Sequence, residues 1–160
     1  MKALRRAVSL IILVLVYSLL IVSQAQAAKS CHSINAKGIG QDLGCNQANV
    51  CSTVTDIIGG GLLQGTTEGS FAIIGVAGTV ASLEGTVEFT TNNGTLTVTV
   101  TGTVNLSTGE FSASGSVTDA TGKLAGGAGT LSFKGVEDLS TGRFAEDVTG
   151  VICVDLAPEH

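Results

Sequence analysis

Between Ala81 and Thr118 apolar and polar residues alternate with a period of two, and that pattern commits the chain to half-buried β-strands. Leu96, Val98, Val100, Gly102, Val104 and Leu106 fall on one face; Thr95, Thr97, Thr99, Thr101, Thr103 and Asn105 fall on the other. Upstream, Ala81, Leu83, Gly85, Val87 and Phe89 oppose Ser82, Glu84, Thr86 and Glu88. Downstream, Phe111, Ala113, Gly115 and Val117 oppose Ser112, Ser114, Ser116 and Thr118. From Gly65 onward the composition is Thr, Val, Gly and Ser, which suits strands and turns, and no long stretch has a helical period.

Turn chemistry then predicts a register. Asn93-Gly94 is the preferred central pair of a type I′ hairpin. It sets Phe89 opposite Val98, Val87 opposite Val100 and Leu83 opposite Val104. A four-residue loop at Ser107-Thr108-Gly109-Glu110 sets Leu106 opposite Phe111, Val104 opposite Ala113 and Val100 opposite Val117. In this register Gly85, Gly102 and Gly115 form a row across three strands on the apolar face. Interior glycines remove side-chain packing, and a row of them marks a bend or a close approach. Sheets that close into barrels bend at such places, so the expectation is a closed or nearly closed antiparallel barrel.

The run Leu106-Ser107-Thr108-Gly109-Glu110-Phe111 recurs, 33 residues on, as Leu139-Ser140-Thr141-Gly142-Arg143-Phe144. With Thr121-Gly122-Lys123-Leu124 as a shorter copy, the spacing is irregular, which indicates recurrent hairpin turns and no solenoid. The same loop register in the second copy places Glu137 directly opposite Glu146, two carboxylates on the nominally apolar face. Two close carboxylates raise one pKa, which suits acid-base work or a bound cation; a solvated rim is the plainer alternative.

The first 27 residues read as a signal peptide. Lys2, Arg5 and Arg6 precede an apolar run from Ala7 to Val22, and Ala25-Gln26-Ala27 fits the A-x-A cleavage rule, so the exported chain starts at Ala28. About 133 residues remain, enough for one domain. Three of the eight basic residues lie in the leader, leaving five against thirteen acidic ones and a net charge of −8. Such a surface repels phosphate backbones, which excludes nucleic acid as a partner. All four cysteines, Cys31, Cys45, Cys51 and Cys153, follow the leader, and in an oxidising compartment an even count reads as two disulfides. Three pairings are open, and in each Cys153 joins one of the three N-terminal cysteines. No C-x-x-C pair is present, so no metal site is expected.

Residues 28–64 read as an irregular, cysteine-stapled segment with one strand at Thr53 to Ile58, preceding a barrel over 65–156 with which they form one domain. Beyond the leader there is no Trp or Tyr, only Phe71, Phe89, Phe111, Phe133 and Phe144. This argues against a membrane-embedded barrel, which needs aromatic girdles, and against a sugar-binding platform. After cleavage of the leader no membrane partner is expected.

The stretch Thr118-Asp119-Ala120-Thr121-Gly122-Lys123-Leu124-Ala125-Gly126-Gly127-Ala128-Gly129 resembles a signature of bacterial secreted proteins with an allene-oxide-cyclase-like barrel. It is also similar to the G-T-G-x-F turn of dirigent proteins, which share that barrel. Gly60 to Thr67 and Val151 to Pro158 look like parts of the same bacterial group. The resemblance implies an eight-stranded, up-and-down, calycin-like barrel with an apolar lumen. No catalytic residue of the cyclases matches a position here.

No nucleophile-base set is visible: His32 stands beside a cysteine and His160 is the last residue. Gly59 to Gly61 lacks a P-loop lysine, and no cofactor is implied. The Thr95 to Thr103 ladder beside Ser112 to Thr118 makes a hydroxyl face of the kind that can bind ice or crystalline polysaccharide, although Thr is simply a good strand former. The expectation is an exported, non-enzymatic barrel that binds a small apolar ligand in its lumen. The alternatives are a structural protein with a filled core and, third, an isomerase of cyclase type. The candidate ligand-binding residues are Gly85, Gly102, Gly115, Glu137 and Glu146.

Overall fold

The computed structural model describes residues 29–155. The leader, the Ala28 start and His160 lie outside the described residues. Eight antiparallel strands follow one another around a closed barrel: β1 Ser30–Cys45, β2 Val50–Gly59, β3 Gly65–Ala77, β4 Val80–Thr91, β5 Gly94–Asn105, β6 Glu110–Ala120, β7 Ala128–Asp138 and β8 Arg143–Val154. Each strand pairs with its neighbours in sequence, and β1 closes the barrel on β8. The expected up-and-down, eight-stranded architecture is therefore present.

The strand expected at Thr53 to Ile58 is present within β2, but the reading of the rest of residues 28–64 as irregular is corrected: the segment also supplies β1, so two of the eight staves come from it. On β1 the inward positions are Ile34, Ala36, Gly38, Gly40 and Asp42, a face of shrinking and finally charged side chains, while Ile39 is exposed on the outside. That reversal hides the period of two.

The register is also corrected. Phe89 pairs with Leu96, Val87 with Val98 and Ala81 with Val104, two residues from the expected pairing. On the next hairpin Val104 pairs with Phe111, Gly102 with Ala113 and Val100 with Gly115, again shifted by two. An even shift keeps every inward residue inward, so alternation is blind to it. The turns decide it. Thr91 pairs with Gly94, so Asn92 and Asn93 are the central residues, and neither has positive φ; Gly94 instead takes φ +126°. The Thr91 hydroxyl donates to Gly94 O at 2.9 Å and accepts from Asn93 N at 3.0 Å. A tertiary contact pins the loop: Lys123 N donates to Asn93 O at 2.7 Å.

The repeated loop is likewise one residue earlier than expected, because its first residue is a side-chain acceptor. Asn105 Oδ1 accepts from Ser107 N and Ser107 Oγ, and Asp138 Oδ1 accepts from Ser140 N and Ser140 Oγ. Each loop closes through its glycine N–H, Gly109 to Asn105 O and Gly142 to Asp138 O, with φ near +70° at both glycines. Leu106 and Leu139 are thereby lifted out of the strands onto the rim, about half exposed.

The glycine row is replaced by an alternation. Phe71, Gly85, Val100, Gly115, Leu131, Gly150 and Ile34 are successive cross-strand neighbours from β3 round to β1. Each glycine lies between two bulky residues, the small-large pattern by which a narrow barrel fits side chains into its interior. Val100 Cγ1 lies 2.7 Å from where a Gly115 Cβ would stand, so the space is already taken.

Two short 3-10 turns, Gly61–Leu63 and Gly122–Leu124, plug one end of the barrel with the fully buried Leu63 and Leu124. Below them Phe89, Leu96, Val98, Leu131, Ile152 and Val154 pack into a continuous core. Cys31–Cys153 rivets β1 to β8 at this closed end, and Cys45–Cys51 joins β1 to β2 at the opposite end; each bond links residues directly opposed in register. Most outward-facing residues are Ser, Thr and charged groups, among them the exposed Glu84, Glu88, Thr99, Thr101 and Lys134, but Ile39, Val54, Ile58, Val136 and Val151 are exposed on the outside as well.

Candidate functional site

The plug fills only one half of the lumen. Towards the other end, where the hairpin loops 46–49, 78–79, 106–109 and 139–142 surround the mouth, a cavity of about 250 Å³ remains. Its wall is largely apolar: Phe71, Leu83, Val87, Val100, Val104, Phe111, Phe133 and Phe144 contribute. The rings of Phe111 and Phe144 meet edge to face with centroids 5.7 Å apart, and Phe89 and Phe133 lie at 6.2 Å. Four of the five phenylalanines thus line the space without closing it. Leu106 and Leu139, displaced by the register, form part of its entrance, and Leu43 is a further exposed apolar side chain near the end of β1.

Polar groups enter at chosen places. Thr55 and Thr67, opposite each other on β2 and β3, are buried and line the cavity. Three carboxylates line it as well: Asp42 from β1, Glu137 from β7 and Glu146 from β8. Glu137 and Glu146 are not directly opposed as expected; Glu137 faces Phe144 and Glu146 faces Gly135, which makes the two carboxylates diagonal neighbours on one face. No Lys, Arg or His is among the lining residues. Arg143, at the start of β8, is exposed outside the mouth.

Small residues make the seat for Glu146. It pairs with Gly38 of β1, and a methyl group at Gly38 would lie 2.7 Å from both Glu146 Cγ and Thr55 Cγ2. Gly40 does the same for the ring of Phe144, which a Cβ there would overlap. Burial pushes the Glu146 carboxyl up to about 7. Glu137 is also raised, first by burial and then by the negative charges of Asp42 and Asp138. Among the described residues, no group of three His, Cys, Asp or Glu side chains is arranged to hold a metal ion.

Of the residues singled out in the sequence, Gly102, Glu137 and Glu146 line the cavity, whereas Gly85 and Gly115 are not among its lining residues. Cys45 and Cys51 touch it beside their disulfide. Sequence reasoning missed Asp42, Thr55 and Thr67; the run Ile34, Ala36, Gly38, Gly40, Asp42 at every second position was the available signal. His32 lies at the closed end, its Nε2 2.7 Å from Ser30 Oγ, far along the strand from the carboxylates.

No family model matches the chain, and no curated protein matches it.

Proposed function

We propose that the protein is an exported, non-enzymatic barrel that binds a small apolar molecule in the open half of its lumen. The observation that carries this reading is the cavity of about 250 Å³, walled by phenylalanine and aliphatic side chains and opening at one end only. Apolar concavities with a few placed polar groups are the usual form of a small-molecule site, and this one is slightly smaller than most of them. A purely structural barrel would pack its interior throughout, because interiors tolerate few voids larger than water. Export is part of the reading. It is supported by the leader pattern and by two disulfides, which persist in oxidising compartments. With no Trp or Tyr after residue 27, the barrel also lacks the aromatic girdles of a lipid-embedded one. Kinship with the allene-oxide-cyclase-like and dirigent-like barrels belongs to the same proposal, and its support is the closed eight-stranded architecture.

The test is uptake of a neutral apolar fluorophore, N-phenyl-1-naphthylamine, by the purified disulfide-bonded protein. Saturable enhancement of fluorescence is expected, and Ala113→Phe, which fills the lumen from a half-buried lining position, should reduce it at least about tenfold with strand content unchanged. Absence of saturable uptake by the unmodified protein would remove the reading.

A further inference from the structure

The cavity has one chemical asymmetry that apolar binding alone does not require. All of its charged lining groups are carboxylates, Asp42, Glu137 and Glu146, contributed by the three consecutive strands β1, β8 and β7. They stand toward the mouth: Glu137 is one residue from the end of β7, and Asp42 is within four of the end of β1. Glu146 lies deeper, in a recess that exists because position 38 carries no side chain. The rest of the wall supplies hydrocarbon, Thr and Ser residues including the buried Thr55 and Thr67, and no cation.

We propose that the preferred occupant is an apolar molecule bearing a protonated amine, its hydrocarbon body in the lumen and its ammonium group at Glu146 and Glu137. The inference rests on the lumen-binding reading above and adds the ligand's charge to it. Three considerations carry it. A carboxylate taken from water into an apolar wall is costly unless a cation or donor meets it. Gly38 and Gly135 flank Glu146 on both neighbouring strands, and the missing side chain at Gly38 leaves the recess that holds the Glu146 side chain inside the barrel. An ammonium brings three donors, which two diagonal carboxylates can share. The converse follows: a fatty-acid anion of the same length would enter a mouth lined by like charge with no positive group to receive it.

The experiment is competition against N-phenyl-1-naphthylamine at pH 8 with three eight-carbon chains of equal hydrocarbon content: octylamine, 1-octanol and octanoate. Octylamine is protonated at this pH, as a lysine side chain is. It should displace the fluorophore at a concentration about tenfold below that of octanol, the ratio expected of one charge-assisted contact, and octanoate should be the weakest of the three. Glu146→Gln and Glu137→Gln, which keep side-chain size, should each reduce the amine's advantage over the alcohol at least about threefold, the two displacements being compared within each variant. Equal displacement by all three chains, displacement led by octanoate, or an amine advantage indifferent to both substitutions would overturn the proposal with lumen binding intact. Failure of the fluorophore to bind at all would overturn the underlying reading, and the inference with it.

Discussion

Ionising Glu146 should destabilise the fold, and the size of the effect follows from its burial. The carboxyl titrates at about 7 in the folded protein, against 4.5 for an unperturbed glutamate. Between these values the folded chain holds a proton that the unfolded chain has released. The stability associated with that proton is fully present below the unfolded pKa and is lost as pH rises through the folded one. Each pKa unit corresponds to about 1.4 kcal/mol, and water reaches the group from the mouth, so the expected loss between pH 5 and pH 8 is roughly 1–3 kcal/mol. Glu137, raised by burial and by Asp42 and Asp138, acts in the same direction. The other groups facing Glu146 are uncharged: Gly38 on β1, Thr55 on β2 and Gly135 on β7, while the Lys37–Asp147 ion pair lies outside the barrel and exposed. Asp138 is lowered through its bonds to Ser140 and Thr141 and titrates below this window. The assay is equilibrium urea unfolding at pH 5 and pH 8 with the disulfides intact, followed by far-ultraviolet circular dichroism, since the chain after residue 27 contains no Trp or Tyr to report by fluorescence. Glu146→Gln should abolish most of the pH difference and exceed the unmodified protein in stability at pH 8. If the variant keeps the full loss between the two pH values, the carboxyl is not buried as described.

Gly102→Val should destabilise by about 2 kcal/mol or more, because its Cβ would lie 2.6 Å from Ala113 Cβ and 2.8 Å from Ala113 Cα, whereas Thr101→Val on the outer face should change stability by less than about 0.5 kcal/mol; urea unfolding of both variants compares them. Replacing Cys31 and Cys153 with serine removes a cross-link spanning 122 residues and should cost about 5 kcal/mol by chain entropy, against about 2 kcal/mol for Cys45 and Cys51, six residues apart. Intact-mass and peptide mapping of the exported protein should show a chain beginning at Ala28 and joined by those two bonds; a retained Met1 segment, or Cys31 bonded to Cys45, would contradict the leader assignment or the β1–β8 closure respectively.

What the sequence determined by itself is the set of inward faces. Thr95 to Leu106 and its neighbours alternate so regularly that only half-buried strands satisfy them, and the residues assigned inward from Ala81 to Val117 are inward except Leu106, which leaves the strand. Four cysteines likewise led to the expectation of two bonds, which are present, but not to which two. Tertiary structure decided the register, because a shift of two residues leaves each side chain on its face and local pattern carries no penalty for it. That choice was made by Asn105 and Asp138 capturing their own loops and by the Thr121-to-Lys123 segment docking on Asn93. It also lifted Leu106 and Leu139 to the mouth. The first strand was hidden for a different reason. Its inward positions hold Gly38, Gly40 and Asp42, residues that local propensity disfavours in a buried strand. They become comprehensible only when β1 closes against β8, where the missing side chains admit Glu146 and Phe144 and the retained Asp42 faces the cavity.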